Sequence, residues 1–520
     1  MTDEIPTMNG AELALRTAVG AGVDVCFANP GTTEMELVAA VDAVPEMRAV
    51  LGLFEGVVTG AADGYGRVTG RPALTLLHLG PGFANGIANL HNARRAHTPV
   101  VNLIGDHATW HAQADAPLTS DIESLARPVS RSVTTVPSAA RAGSTVREAI
   151  AAAVGPPSGV ASIIFPQDTA WGPAQVHDVS EAAEQTFEVD ADEIGAAVAE
   201  LQGDRRVGLL IGGVIRRPEL DAAAAIRAAT GCRVWTDTFP AVTESGRGLP
   251  RFDALPYFPE QAIDVLADID TLVVAGTKAP VAFFGYRSLG VSRLLPDTAT
   301  VRSVAPPGVR ASLGLAALVD ALEIPASVSV DDADAPDMPT GDLGVMTMGA
   351  MVAALQPEGA IVVNEAATSG MGWAVASPGA APHESFALTG GAIGQGLPAS
   401  VGAAVAAPDR KVIALQADGS GMYTLQSLWT MARESLDITV VVCANRAYRI
   451  LQMELHRTGH DDAGPQARAL TELTGPEPDW VSLAAGFGVE GMRASTLDEL
   501  SVGLERGLAT DGPYLVEVLL

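Results

Sequence analysis

Short β-branched runs alternate with alanine-rich amphipathic stretches along almost the whole 520-residue chain, and this alternation constrains the fold more than any other feature. A strand that pairs in parallel with the next needs a crossover of a dozen or more residues, and a helix with one apolar face supplies it. The expectation is an α/β fold built on parallel sheets. In the first third the strands are read at residues 23–28, 48–53, 73–78 and 100–104, each followed by Gly, Pro, Thr or Asp and then a helix. The middle offers strands at 207–211, 271–275 and 300–304, without any cluster of acids, histidines or cysteines, and reads as a structural unit. The last third repeats the pattern at 360–364, 411–416, 438–443 and 514–519. Two stretches poor in apolar periodicity, 171–192 and 324–343, read as linkers, and the second contains DDADAPDMPTGD. They divide the chain into three α/β domains at 1–172, 190–325 and 343–520.

Composition removes several classes of function. No apolar run approaches the roughly 20 residues that cross a bilayer, and the first ten residues, MTDEIPTMNG, carry acids where a secretory signal has a basic region. A soluble, cytoplasmic protein is expected. Sixty-one acidic against 32 basic side chains give a formal charge of −29, which repels phosphate backbones and anionic lipid, so neither nucleic acid nor a membrane is an expected partner. The acids are spread without a long block, as on a solvated surface. Cys26, Cys232 and Cys443 lie far apart in or beside apolar runs and read as reduced core thiols. Lys278 and Lys411 are the only lysines, leaving few candidates for Schiff-base chemistry.

The chemistry-bearing residues cluster at strand ends. Ala417-Asp418-Gly419-Ser420 closes an apolar strand and precedes a helix read at 422–434; such an end in a parallel sheet is where ligands bind. The next strand ends at Ala444-Asn445-Arg446-Ala447-Tyr448, and Asn445 follows Asp418 by 27 residues, one helix plus one strand. The two then sit side by side at one sheet edge, where a carboxylate, an amide oxygen and a backbone carbonyl suit a hard divalent cation that also holds phosphate oxygens. Taken singly, Asp418 reads as a helix cap and Asn445 as a turn residue. Taken together, the pair resembles the metal-diphosphate motif of thiamine diphosphate enzymes, usually Gly-Asp-Gly followed by Asn-Asn, with Ala417 and Ala444 in place of the first Gly and first Asn. The resemblance implies Asp418, Asn445 and the Ala447 carbonyl as Mg2+ ligands, with Gly419, Ser420 and Tyr448 facing the diphosphate.

Further segments fit the same resemblance, in the family's order. Glu55, within FEGVVTGAADGYGR, resembles the glutamate that pairs with the cofactor's aminopyrimidine; from the residue alone it also reads as a helix-start carboxylate. TGGAIGQGLP at 389–398 is similar to the glycine-rich stretch that bends the cofactor, which assigns Gly391 and Ile393, and VNEAATS at 363–369 assigns Glu365, Ala367 and Thr368 to the diphosphate side. His78 follows Glu55 by 23 residues, a spacing that resembles the active-site histidine of benzoylformate decarboxylases, and Thr32 in NPGTTE falls where those enzymes hold the substrate carboxylate. Without the resemblance, His78 reads as a structural histidine and Thr32 as a helix cap.

What the resemblance implies is a pyrimidine-binding, a central and a diphosphate-binding domain of the thiamine diphosphate-binding fold. The chain looks most like acetolactate synthase large subunits of the actinobacterial group. The implied reaction decarboxylates a 2-oxo acid and transfers the enamine to a second carbonyl. The alternatives are simple decarboxylation to an aldehyde, or a non-catalytic cofactor-binding paralogue. The decarboxylases' second histidine has no counterpart at Phe283-Phe284-Gly285-Tyr286, and Asp106 stands where the synthases carry glutamine. His107 and His111 beyond it read either as loop contributors to the pocket or, preferred, as surface or hydrogen-bonded residues. The middle segment lacks a flavin-binding signature, so FAD is not expected. The family's shared sites imply a homodimer or homotetramer.

Overall fold

The computed structural model describes residues 7–175, 186–287, 289–325, 330 and 335–520. Parts of both expected linkers, 176–185, 326–329 and 331–334, lie outside the described residues, as do residues 1–6 of the leader region. The protein is α/β throughout, with a parallel sheet in each third of the chain.

The first sheet has six parallel strands in the order Arg48–Leu51, Val25–Asn29, Leu74–Leu77, Val100–Asp106, Val160–Pro166 and Ser132–Thr135. Leu74–Leu77 and Val160–Pro166 are buried at every residue, the expected state of a parallel strand covered by helices on both faces. The central sheet has five parallel strands around Val207–Ile211 and Thr271–Ala275. The third sheet has eight strands, and its centre is Ile361–Glu365, Val412–Ala417, Ile438–Ala444 and Tyr514–Leu519. Its far edge comes from the middle of the chain: Val242–Ser245 pairs antiparallel with His383–Phe386, and Val214–Ile215 pairs with Val242–Ser245. The middle segment, read from sequence as a self-contained unit, thus completes the last sheet as well as its own.

The first and third sheets are locked together by two helices, Glu55–Thr69 and Gly396–Ala406. They cross on small residues. A Cβ on Gly402 would lie 1.8 Å from the Ala61 carbonyl oxygen, and one on Gly64 would lie 2.1 Å from that of Ala399. Only glycine lets two backbones approach this closely.

One expected element is corrected. The helix read at 422–434 is shorter, Ser427–Arg433, and a separate four-residue helical turn, Asp418–Gly421, precedes the expected start. Between them the Thr424 hydroxyl donates to the Gly394 carbonyl (3.0 Å), a tertiary bond that takes precedence over helix continuity. All three cysteines are free and buried, and burial pushes the Cys26 and Cys443 thiols up to about 12. Among the described residues no helix is long and apolar enough to cross a membrane.

Candidate active site

Two groups of strand ends carry the residues singled out above. In the first sheet, Glu55 opens its helix from an extended Phe54, and its side chain is almost wholly removed from water. Asn85 Nδ2 donates to Glu55 Oε2 (3.0 Å), and among the described residues the other carboxylate oxygen has no protein donor. A buried carboxylate with one free oxygen beside apolar Val57 and Val58 is ready to receive a donor from outside the protein.

His78 stands at the end of Leu74–Leu77 and caps the helix Leu79–Ala96. Its Nδ1 lies 2.8 Å from Oε2 of Glu34, a side chain with no solvent exposure. Glu34 also accepts from the Gly31 amide (2.7 Å) and the Thr33 hydroxyl (2.5 Å). A carboxylate on Nδ1 holds the proton there, fixes the tautomer and leaves Nε2 without a protein partner among the described residues. Glu34 was not read as a site residue from sequence, where TTE gave only a capping signal. Thr32 is exposed, whereas Thr33 is buried with its hydroxyl 3.3 Å from His78 Nδ1. Asp106 continues the neighbouring strand, and burial raises its carboxyl above the usual range despite the His107 amide. His107 and His111 pack edge to face with each other, and Trp110 packs on His111.

In the third sheet the register puts Ala417 opposite Cys443, so Asp418 and Asn445 follow adjacent strands at the same edge. Asp418 is buried and accepts from the amides of Gly419 (2.9 Å) and Arg446 (2.6 Å). Burial raises its carboxyl above the ordinary value, and those two amides oppose the rise. Asn445 Oδ1 accepts from the Ala447 amide (3.0 Å), and the Tyr448 ring lies against Gly419. Carboxylate, amide oxygen and carbonyl make an all-oxygen set suited to Mg2+. Among the described residues no group of three or more His, Cys, Asp or Glu could hold a metal.

Glu365 ends the strand Ile361–Glu365 and is buried. Its Oε1 accepts from the amides of Gly394 (2.7 Å) and Gln395 (3.2 Å), and its Oε2 from the Gly396 amide (2.6 Å) and Gln416 Nε2 (3.0 Å). Burial raises its carboxyl, and those donors work against the rise. With four protein donors it holds the glycine-rich loop in place; Ala367 and Thr368, partly or fully exposed, are the open positions on that strand end. Ala367 has φ +49°, a left-handed conformation at the turn. Gly391 (φ +74°) and Gly394 (φ +95°) bracket the half-buried Ile393. Gln416 Nε2 also donates to Ser420 Oγ (2.5 Å), tying that hydroxyl to the same cluster.

The segment 283–286 packs elsewhere. Phe283 stacks on Phe239 and Tyr257, and the Tyr286 hydroxyl donates to Glu454 (3.0 Å) on the helix that follows the Asn445 turn.

Comparison with known proteins identifies the family. Residues 8–125 match the model of the thiamine pyrophosphate enzyme N-terminal TPP binding domain, and residues 366–518 match that of the C-terminal TPP binding domain. The chain belongs to the thiamine pyrophosphate enzymes. This member is 47% identical over 514 residues to a Mycobacterium tuberculosis protein described as "Putative acetolactate synthase large subunit IlvX", covering 98% of this chain and 99% of the relative. It is 29% identical to the benzoylformate decarboxylase of Pseudomonas aeruginosa, with 96% of each chain covered. Among solved structures it is similar to a thiamine diphosphate-dependent 4-hydroxybenzoylformate decarboxylase of Rhodococcus jostii RHA1, with a TM-score of 0.83, 24% identity and 98% of each chain covered. This last likeness speaks for the fold.

Proposed function

We propose that this thiamine pyrophosphate enzyme is Mg2+-dependent and decarboxylates a 2-oxo acid, with His78 delivering a proton so that an aldehyde is released. The single observation that carries the choice of product is the Glu34–His78 couple. A histidine whose Nδ1 proton is held by a buried carboxylate presents Nε2 for proton transfer, and the carboxylate stabilises the imidazolium whenever Nε2 is protonated.

The residues fit the cofactor: Glu55 keeps one oxygen free and would take the pyrimidine ring, Asp418, Asn445 and the Ala447 carbonyl would hold Mg2+, and Gly419, Ser420, Thr368 and Tyr448 would line the diphosphate side, with Ile393 against the ring system. Bound thiamine diphosphate supplies a nucleophilic carbon and an electron sink for loss of carbon dioxide. The chain's own contribution is to hold a proton at Glu55, to exclude water with Phe54, Val57 and Val58, and to move a proton through His78. Exposed apolar residues beside each half-site, Leu53 next to Glu55 and Met371, Val375 and Tyr423 next to the diphosphate side, support completion of each site by a second copy.

A second reading, transfer to another carbonyl as in acetolactate synthesis, is favoured by the 47% kinship with the IlvX protein and by the lack of a histidine at 283–286. The test is incubation with thiamine diphosphate, Mg2+ and either pyruvate or benzoylformate, following carbon dioxide and identifying the organic product. A free aldehyde supports the first reading; acetolactate or another acyloin supports the second. Loss of neither acid in the presence of bound cofactor overturns both for these substrates.

A further inference from the structure

The sequence segment Ala62-Asp63-Gly64-Tyr65-Gly66-Arg67 has a buried function that the reading above leaves unused. Asp63 and Arg67 lie on the helix that Glu55 opens, and both side chains are essentially without solvent. Arg67 pairs with Asp63 through Nε (3.0 Å) and Nη2 (2.9 Å). Its remaining donors leave the first domain: Nη1 reaches the carbonyls of Ala241 (3.1 Å) and Ala387 (2.8 Å), and Nη2 reaches the Thr389 hydroxyl (3.0 Å). One guanidinium therefore joins the glutamate helix, the edge strand from the middle of the chain, and the start of the glycine-rich loop.

Asp63 is equally committed. Its Oδ1 accepts from the Thr98 hydroxyl (2.6 Å), and its Oδ2 accepts from Gln395 Nε2 (2.6 Å). Gln395 is buried and lies two residues after Ile393. Its side chain serves Asp63 while its backbone amide serves Glu365, whose other oxygen takes Gln416, which in turn reaches Ser420. A continuous buried hydrogen-bond chain thus runs from the Glu55 helix to the residue two places beyond Asp418. Each hydrogen bond of such a network narrows the geometry its members can adopt, and of these groups Gln416 Oε1 has no partner among the described residues.

We propose that Gln395 is a positioning residue: its contact with Asp63 sets the conformation of the Gly390–Gly396 loop, and through that loop the affinity of the diphosphate half-site for thiamine diphosphate. This inference rests on the cofactor reading above. A buried ion pair with a dedicated amide between it and the loop is more than packing needs, since an apolar residue of the same volume fills the space without any polar group to satisfy.

The experiment is a titration of the full-length protein with thiamine diphosphate and Mg2+, read by calorimetry, beside thermal melts without cofactor. Gln395→Met keeps the volume and removes the amide; its cofactor dissociation constant is expected to rise at least tenfold, while the cofactor-free melting temperature falls only by the loss of one buried hydrogen bond, since Arg67 and Thr98 still donate to Asp63. Gln395→Glu sets two carboxylates together and is expected to bind more weakly still. Gln395→Asn keeps an amide but shortens its reach to Asp63, and is expected to weaken binding to the same degree as Gln395→Met. Dissociation constants of Gln395→Met and Gln395→Glu within twofold of the wild type overturn the proposal whatever their melting temperatures. If the wild type itself fails to bind the cofactor, the reading of the half-site falls and this inference falls with it, an outcome separate from wild-type binding with indifferent variants. Should Gln395→Met prove insoluble, Gln395→Asn and Gln395→Glu decide in its place.

Discussion

At the residue scale the chemistry divides between a carboxylate with a free oxygen and a histidine with a fixed proton. Glu55→Gln keeps the shape of the side chain and its bond from Asn85 but removes the acid. It is expected to leave thiamine diphosphate binding within severalfold while turnover of a 2-oxo acid, and exchange of the cofactor's thiazolium proton followed by NMR, fall by about 10²–10⁴-fold, the scale of general acid–base catalysis. Glu34→Gln tests the couple on which the product assignment depends. Its amide either donates to His78 Nδ1 or leaves that proton less tightly held, so turnover is expected to drop by about tenfold or more, and unchanged turnover would remove Glu34 from the mechanism. The way these two acids are encoded explains what a sequence reveals. Glu55 carries a long distinctive neighbourhood, FEGVVTGAADGYGR, because a whole helix is shaped around its contacts with a second helix. Glu34 is three residues of turn from Gly31 and announces nothing, since its burial is produced by Gly105 and His78, strands away in sequence. Thr32 and Thr33 differ in the same way: the turn geometry that buries the second and exposes the first is a tertiary outcome.

At the scale of elements, the strands with continuous β-branched runs were legible to the residue: Val207–Ile211, Thr271–Ala275 and Tyr514–Leu519 begin and end where the pattern does. His383–Phe386 and Val242–Ser245 were not, because each is short and partly polar and is held between neighbours: the first between Val242–Ser245 and Ile361–Glu365, the second between His383–Phe386 and Val214–Ile215. The late start of the helix expected at 422–434 belongs to the same class, since the bond from Thr424 to Gly394 joins segments 30 residues apart. The crossing of Glu55–Thr69 over Gly396–Ala406 makes a sharper demand than any strand. Gly402→Ala places a methyl group inside contact distance of a helix backbone that cannot give way as a side chain would, and is expected to lower stability by on the order of 3 kcal/mol in urea unfolding. Alanine is ordinarily the better helix former, so a stabilised Gly402→Ala protein would mean that the two helices are farther apart than described.

At the scale of the whole molecule, stability against pH and association of copies are the properties to measure. Asp237 follows the strand Arg233–Thr236, and loss of solvation pushes its carboxyl up to about 6, outweighing the Thr277 hydroxyl (2.9 Å) and the charge of Lys278. Because the folded chain holds this proton more tightly than the unfolded one, its contribution is greatest below about pH 4 and is lost as pH rises through about 6. Asp237→Asn is therefore expected to raise stability at pH 8 by about 1–3 kcal/mol and to flatten the urea midpoint between pH 4 and 6. Light scattering of the loaded protein is expected to give a dimer or tetramer, and a monomer that turns over substrate would show that one copy is sufficient. The pairing of Val242–Ser245 with His383–Phe386 has a consequence for anyone recombining these proteins. A chimera joined near residue 343 would hand the new carboxy-terminal module a sheet edge that must come from its foreign partner, so crossovers there exchange a strand interface along with the chemistry. A junction before residue 190 keeps both halves of that interface under one parentage.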